Sequence, residues 1–261
     1  MTNYPLQAIV IRPYKRLFTP RNVWGFMALA TVVTAYLYTH HNVQAACILV
    51  GIAGPIVLVH ATLEYIQLIR NGDVAPHLLG WIIWAGATLA GVVAGLLGGA
   101  GVFGSILPIT YTLIEGTVAY LALRGHAWRD RQGRLAKPWD WALFSVALPA
   151  AVSWQFLVLL HTISLRTGLK LAIAGDIVAA IYTLAKEIED PASEPLAPWA
   201  MSWWCSAINF FALKAYHFTA AGFSFYLVAQ LGATTLLILA MKLIGRRRLS
   251  GQSLNTQQVG V

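Results

Sequence analysis

Long apolar runs occupy nearly the whole chain. About eight of them lie between residues 23 and 244, and most approach the roughly 20 residues that a helix needs to cross a bilayer. Only 11% of the residues are charged and 58% are hydrophobic, whereas a soluble domain carries about 25% charged residues. The chain therefore predicts an all-α, multi-pass membrane protein whose main partner is the lipid bilayer.

The distribution of basic residues predicts the orientation of the chain. Most of the 18 lysines and arginines lie before the first run, after the last run or in loops on that same side, and Lys186 is counted with one of these loops. Only Arg166, Lys170 and Lys214 fall on the other side. Because basic loops stay in the cytoplasm, we expect both termini to be cytoplasmic, in a bacterial inner membrane. The net charge of +8 is then a topological signal, and no nucleic acid is expected. The predicted spans are 23–39, 45–69, 78–97, 104–123, 139–160, 169–186, 196–216 and 221–244.

Two loops, with the helices that follow them, share a pattern. Pro76 precedes Trp84 by the same interval as Pro195 precedes Trp203. We therefore predict two three-helix bundles, and a single linker helix between them gives both bundles the same orientation. Repeated membrane units of this kind are typical of carriers, whose halves rock about a central site. The predicted segments are 1–44 (basic segment and extra membrane helix), 45–123 (first bundle), 124–168 (loop and linker helix), 169–245 (second bundle) and 246–261 (disordered polar tail).

The repeated pattern resembles the PQ-loop/SWEET superfamily, and most closely a bacterial branch of it. The resemblance covers about residues 45–245. It implies that the third helix of each bundle lies between the first and the second, and that the site lies between the bundles. The family's Pro-Gln pairs are replaced by Glu64-Tyr65 and Tyr182-Thr183. The residues that carry the resemblance are Arg70, Gly72, Pro76, His77, Trp81 and Trp84 in the first half, and Gly175-Asp176, Tyr182-Thr183-Leu184 and 190–195 in the second.

Ionisable residues inside the predicted spans are the first candidates for function, because each costs about 2.5–3.5 kcal/mol to insert. Glu115 is near the middle of its span, where it is either a proton-coupling carboxyl or a neutral hydrogen-bonding group. His60 and Glu64 share one helical face. Three interpretations of this pair stay open: a proton relay, a partial metal site or a structural pair. Asp176 is either an interfacial polar residue or, as the resemblance implies, a coupling acid.

Polar and aromatic residues of the second half complete the candidate site. The resemblance implies that Asn209 contacts substrate. Gln230 is the repeat counterpart of Glu115 and its expected neighbour. Trp84 and Trp203, with Trp81, Trp199 and Trp204, form either an interfacial aromatic belt or a surface for stacking on a ring-shaped solute.

These features favour a secondary carrier of a small polar solute such as a sugar or an amino acid, with proton coupling as one option. A non-transporting receptor, sorting factor or scaffold of the same architecture is the alternative. A membrane enzyme would need several catalytic groups at one interface, and only His60 and Glu64 qualify. No cofactor is expected, and a homo-oligomer is left open.

Overall fold

The computed structural model describes residues 20–129, 132–190, 193–213 and 218–258. Within these ranges the chain forms helices and no strand. A π-helical turn, Ala122–His126, follows the fourth helix, and a 3-10 turn, Phe210–Ala212, follows the seventh. The eight α-helices of these described ranges are α1 (Pro20–Thr39), α2 (Val43–Asn71), α3 (Leu78–Leu97), α4 (Gly101–Leu121), α5 (Pro138–Leu159), α6 (Leu165–Glu189), α7 (Leu196–Asn209) and α8 (Phe218–Gln258).

Six of the described helices, namely α2, α3, α4, α5, α6 and α8, are long and apolar enough to cross a membrane. The seventh helix is shorter than predicted: α7 has 14 residues, or about 21 Å at 1.5 Å per residue. The outer surface is apolar, and Leu113, Val146 and Phe225 each expose more than two thirds of their side chains. An exterior of this kind suits lipid, so the chain is a multi-pass, all-helical membrane protein.

Local sequence signals fix where the helices begin and end. The Asn42 side chain accepts a hydrogen bond from the N–H of Ala45 and caps α2. At the other end of α2, Gly72 adopts φ +82°, a left-handed conformation that favours glycine and commonly ends helices. Ser164 caps α6 through the N–H of Thr167. Pro138 occupies the first turn of α5, where the missing N–H has no intrahelical partner to lose.

The helices pack in a pattern that is similar in the two halves of the chain. In the first half α4 packs against both α2 and α3, which scarcely contact each other, and in the second half α8 packs likewise against α6 and α7. The halves meet through α2 against α7 and through α3 against α6. In addition, α1 packs on α2 and α5 packs on α6. This arrangement brings helices of both halves around a common centre.

Two loops share an unusual backbone conformation. His41, between α1 and α2, has φ +59°, and His161, between α5 and α6, has φ +55°. These are the only residues other than glycine with positive φ in the described part of the chain. Left-handed φ is uncommon for such residues, although histidine adopts it more readily than most. The α1–α2 and α5–α6 connections are therefore alike in conformation as well as in position.

The structure corrects two sequence expectations. Lys186 is not a loop residue: it lies in the last turn of α6, fully buried, because a buried carboxylate pairs with it. The tail predicted to be disordered is helical as far as Gln258, since α8 continues without a break from Phe218. Elongating an existing helix avoids the unfavourable nucleation step, so even a polar segment can extend one.

Candidate functional site

A cavity lies between the two halves, lined by side chains from six helices. The first half supplies residues from α2, α3 and α4, and the second half supplies residues from α6, α7 and α8. The lining includes two carboxyl groups, and among the described residues that form it there is no lysine, arginine or histidine. The polar and aromatic lining residues are Thr62, Tyr65, Trp81, Trp84, Tyr111, Glu115, Asp176, Trp199, Ser202 and Gln230.

The two carboxyl groups, Glu115 from α4 and Asp176 from α6, are both buried. The Thr88 hydroxyl donates to Oε2 of Glu115 at 2.5 Å, so the expected partner Gln230 does not hold Glu115; its amide contacts Thr234 instead. The Tyr226 hydroxyl donates to Oδ2 of Asp176 at 2.7 Å. The cavity therefore contains two acids held by neutral hydroxyl groups from separate helices.

The oxygens of Asp176 are unequally satisfied. While Oδ2 accepts the bond from Tyr226, Oδ1 is buried and makes no well-aligned hydrogen bond, although the Trp84 side chain lies close by. A buried carboxylate oxygen left without a partner is unfavourable. Asp176, which lines the cavity, thus keeps the capacity to accept a further hydrogen bond.

Four aromatic rings follow one another along the cavity wall. The Tyr65 and Trp81 centroids are 5.5 Å apart, those of Trp81 and Trp84 are 5.1 Å apart, and those of Trp84 and Trp199 are 5.7 Å apart. Trp81 and Trp84 meet nearly at right angles, with 85° between their planes. Because Trp81, Trp84 and Trp199 all line the cavity, these three tryptophans do more than form an outer belt.

The other predicted site residues lie elsewhere. Asn209 is buried and donates from Nδ2 to the Gly104 carbonyl at 3.3 Å, away from the cavity lining. Trp203 is 43% exposed, whereas Trp84, which follows Pro76 at the same interval as Trp203 follows Pro195, is 4% exposed. His60 is buried and Glu64 half-buried on α2, and neither lines the cavity. Of the eight candidates, the cavity brings together Glu115, Asp176, Gln230 and Trp84.

A buried ion pair adjoins the cavity at the end of the bundle that carries Pro76 and His77, here called the Pro76 end. Lys186 of α6 pairs with Glu194 of the α6–α7 connection, and their side chains are 0% and 2% exposed. Glu194 also accepts hydrogen bonds from the Tyr65 hydroxyl and from the Trp199 indole, each at 3.1 Å. Glu194 therefore joins α2 of the first half to α6 and α7 of the second. Both of its aromatic donors also line the cavity.

The residues of this ion pair are not recognisable as part of a site from the sequence alone. A basic residue beside a loop, such as Lys186, normally sets topology, and Glu194 stands out only as part of a motif. The available signal is a pair of opposite charges, one just before a short proline-containing connection and one within it. Only the three-dimensional arrangement brings Tyr65, far away in sequence, to the same carboxylate.

His77 also packs at the Pro76 end. Its ring stacks on Tyr182 with centroids 4.8 Å apart and 15° between the planes, and its Nδ1 accepts the N–H of Gly80 at 3.4 Å. Burial, with nearby Lys186 and then Lys137 adding to the effect, lowers the pKa of His77 to about 4. His77 is therefore neutral near pH 7 and acts as a helix cap, since only a neutral ring nitrogen can accept that bond.

Comparison of the chain with protein-family models, with curated proteins and with solved structures finds no match. The class defined by the fold is that of a multi-pass, all-helical membrane protein. A functional assignment therefore depends on the chemistry of the cavity.

Proposed function

We propose that the protein is a secondary carrier of a small polar solute, with its binding site in the cavity between the two halves. The observation that carries this proposal is the cavity itself, which six helices line from both halves and which contains two acids among aromatic rings. Intramembrane carboxyl groups are unfavourable in lipid and typically mark substrate or proton pathways. A site shared by two halves is also the arrangement that rocking carriers use.

The packing pattern supports a duplication, and it extends the predicted repeat. The order of helices, with α4 between α2 and α3 and with α8 between α6 and α7, agrees with two equivalent three-helix bundles. Since α1 packs on α2 as α5 packs on α6, we propose that the repeat comprises four helices, α1–α4 and α5–α8. The left-handed His41 and His161 occupy corresponding loops in this scheme. The extra N-terminal helix is then the counterpart of the linker helix.

Contacts between the two halves lie at two levels of the bundle. At the Pro76 end, Tyr65 of the first half and Lys186 of the second hold Glu194. Deeper in the bundle the Tyr111 hydroxyl donates to the Ser202 carbonyl at 2.7 Å, and Asn209 bonds to Gly104. Opening either set of contacts in turn would expose the cavity to one side of the membrane at a time, which is the requirement for a carrier.

Thiol accessibility tests the carrier proposal even while the solute is unidentified. Ser202 lines the cavity, so Ser202→Cys, in a background with Cys47→Ser and Cys205→Ser, should react with a membrane-impermeant maleimide in both right-side-out and inside-out vesicles. The matched control is Ala151→Cys in the same background, because Ala151 is fully buried outside the cavity. It should stay unlabelled in both. Labelling of Ser202→Cys from one side only would refute alternating access and favour the receptor alternative.

Proton coupling is assigned to Glu115. The titratable groups around the two acids are Tyr65 from α2, Tyr111 from α4 and Tyr226 from α8, and no base is among the described lining residues, so an ionised Glu115 has no opposite charge at hand. In proteoliposomes, a pH gradient should drive the uptake of a member of a radiolabelled panel of sugars, amino acids and amines. Glu115→Gln should abolish this pH-driven uptake. The control Glu189→Gln changes an acid outside the cavity lining and should retain this uptake. Normal pH-driven uptake by Glu115→Gln would refute its coupling role.

The orientation with both termini in the cytoplasm is part of the proposal. It follows from the asymmetry of basic residues and has a direct test in reporter fusions placed after Thr19 and Gly245. Both fusions should report a cytoplasmic location. If only the second does, α1 does not cross the membrane.

A further inference from the structure

The charge of the cavity identifies the class of ligand. Glu115 and Asp176 lie close enough to interact electrostatically, and the described lining offers no basic side chain to balance them. Two acids in a medium of low dielectric constant attract a positive ligand far more strongly than they would in water. A neutral sugar would leave an ionised acid in this cavity without an opposite charge.

The shape of the wall narrows the class further. Tyr65, Trp81, Trp84 and Trp199 form a continuous aromatic wall, with the perpendicular faces of Trp81 and Trp84 making a corner. Faces of tryptophan and tyrosine attract cations, and aromatic cages of this kind recognise quaternary ammonium groups. A divalent metal ion would instead need about six or more oxygen ligands, and aromatic rings make up much of this wall.

A buried oxygen of Asp176 adds to the argument from the wall. Asp176 lines the cavity and is 1% exposed, and its Oδ1 makes no well-aligned hydrogen bond, although the Trp84 side chain lies close by. An ammonium N–H, or the positive field of a methylated ammonium, supplies the interaction that this oxygen lacks. Ser202 and Gln230, which also line the cavity, offer polar groups for a hydroxyl or an amide elsewhere on the ligand.

We propose that the cavity binds a small organic cation, a primary to quaternary amine, with the ammonium group between Asp176, Glu115 and the corner of Trp81 and Trp84. This inference rests on the proposed function, because it names the substrate class of the same site. Asp176 and Glu115 provide the charge, and the aromatic wall distinguishes an alkylated ammonium from a hydrated inorganic cation.

Choline and its neutral carbon isostere, 3,3-dimethylbutan-1-ol, test the proposal with the purified full-length protein by isothermal titration calorimetry. The two probes have nearly the same shape and differ in charge. Choline should bind, and the isostere should bind at least 10-fold more weakly. Equal affinity of the two probes, or binding of glucose in preference to both, would overturn the assignment.

Variants locate the binding. Asp176→Asn keeps the size and hydrogen-bonding capacity of the side chain and should weaken choline binding by about 10-fold or more. Trp84→Leu should weaken it by about 2- to 30-fold, the range expected for loss of a cation–π contact. Trp203→Phe changes an exposed tryptophan outside the cavity and should bind choline as the wild type does. If Asp176→Asn fails to fold, Glu115→Gln takes its place, and unchanged choline affinity in a folded acid variant refutes the proposal.

Counterflow of radiolabelled choline into proteoliposomes distinguishes a failure of the ligand class from a failure of the carrier proposal. Binding together with counterflow supports both. Binding without counterflow, combined with one-sided labelling of Ser202→Cys, retains the ligand class and overturns the carrier. Two-sided labelling of Ser202→Cys without choline binding retains the carrier and overturns the ligand class.

Discussion

Replacing Lys186 with methionine should destabilise the protein by about 3–5 kcal/mol, the usual effect of removing one partner of a buried ion pair. The Lys186 and Glu194 side chains are 0% and 2% exposed, so water cannot compensate for the lost charge. The variant also leaves the neighbouring Glu187, itself 1% exposed, beside Glu194, with the half-buried Lys242 as the nearby base. Methionine preserves most of the volume of lysine, so the effect measures charge rather than packing.

A second pair at the same end of the bundle provides the control. Lys137 pairs with Glu189, but their side chains are 27% and 28% exposed, and ion pairs with access to water contribute about 0–1 kcal/mol. Lys137→Met should therefore destabilise the protein by less than about 1 kcal/mol. The double variant Lys186→Met with Glu194→Gln should recover much of the loss, because neither side chain then leaves an unpaired charge.

Reversible unfolding in mixed detergent micelles measures all four proteins. The expected order of stability is wild type and Lys137→Met highest, the double variant intermediate, and Lys186→Met lowest. If Lys186→Met and Lys137→Met lose the same free energy within about 0.5 kcal/mol, the buried pair does not hold the Pro76 end together. Glu194 would then contribute no stabilising link between the two halves.

Two further predictions concern acid sensitivity and helix packing. The pKa of His77 is lowered to about 4 in the folded protein. Between about pH 6.5 and pH 4 this histidine therefore takes up a proton in the unfolded chain and stays neutral in the folded chain. The free energy of unfolding should fall by about 2 kcal/mol between pH 7 and pH 5 on account of this residue. His77→Asn keeps a capping side chain and should reduce that fall in thermal unfolding; an identical pH profile would contradict the assignment. A methyl group at Gly98 would lie 2.6 Å from the Thr219 carbonyl, so Gly98→Ala should destabilise the protein by about 1–3 kcal/mol. Gly116 has open space around it, and Gly116→Ala should be neutral or stabilising by up to about 1 kcal/mol. Equal effects of the two substitutions in thermal unfolding would mean that the close contact between Gly98 and Thr219 does not limit stability.

Much of the fold was predictable because it depends on local signals. Apolar length predicts where helices form, since lipid cannot satisfy the backbone of any other open structure. Caps such as Gly72 and Asn42 set helix limits through contacts a few residues away. That Glu115 faces protein was equally predictable, because a carboxyl group directed at lipid has no hydrogen-bond donor. The structure agrees with these local expectations and departs from them at the tail and at Lys186.

The site depended on tertiary structure. Trp84 and Trp203 follow their prolines at the same interval, and no local rule distinguishes them. Packing turns Trp84 into the cavity and leaves Trp203 43% exposed, because a helix reveals which face it buries only when its neighbours are in place.

The sequence by itself determined that the chain is a membrane bundle with costly acids inside its spans, since hydrophobicity and charge act residue by residue. Only the tertiary structure decided that Glu115 and Asp176 share one cavity, that aromatic rings from both halves line it, and that Lys186 is buried against Glu194. Each of these contacts is between residues that lie on different helices or in the loops between them. The distances between such residues are set by how whole helices pack.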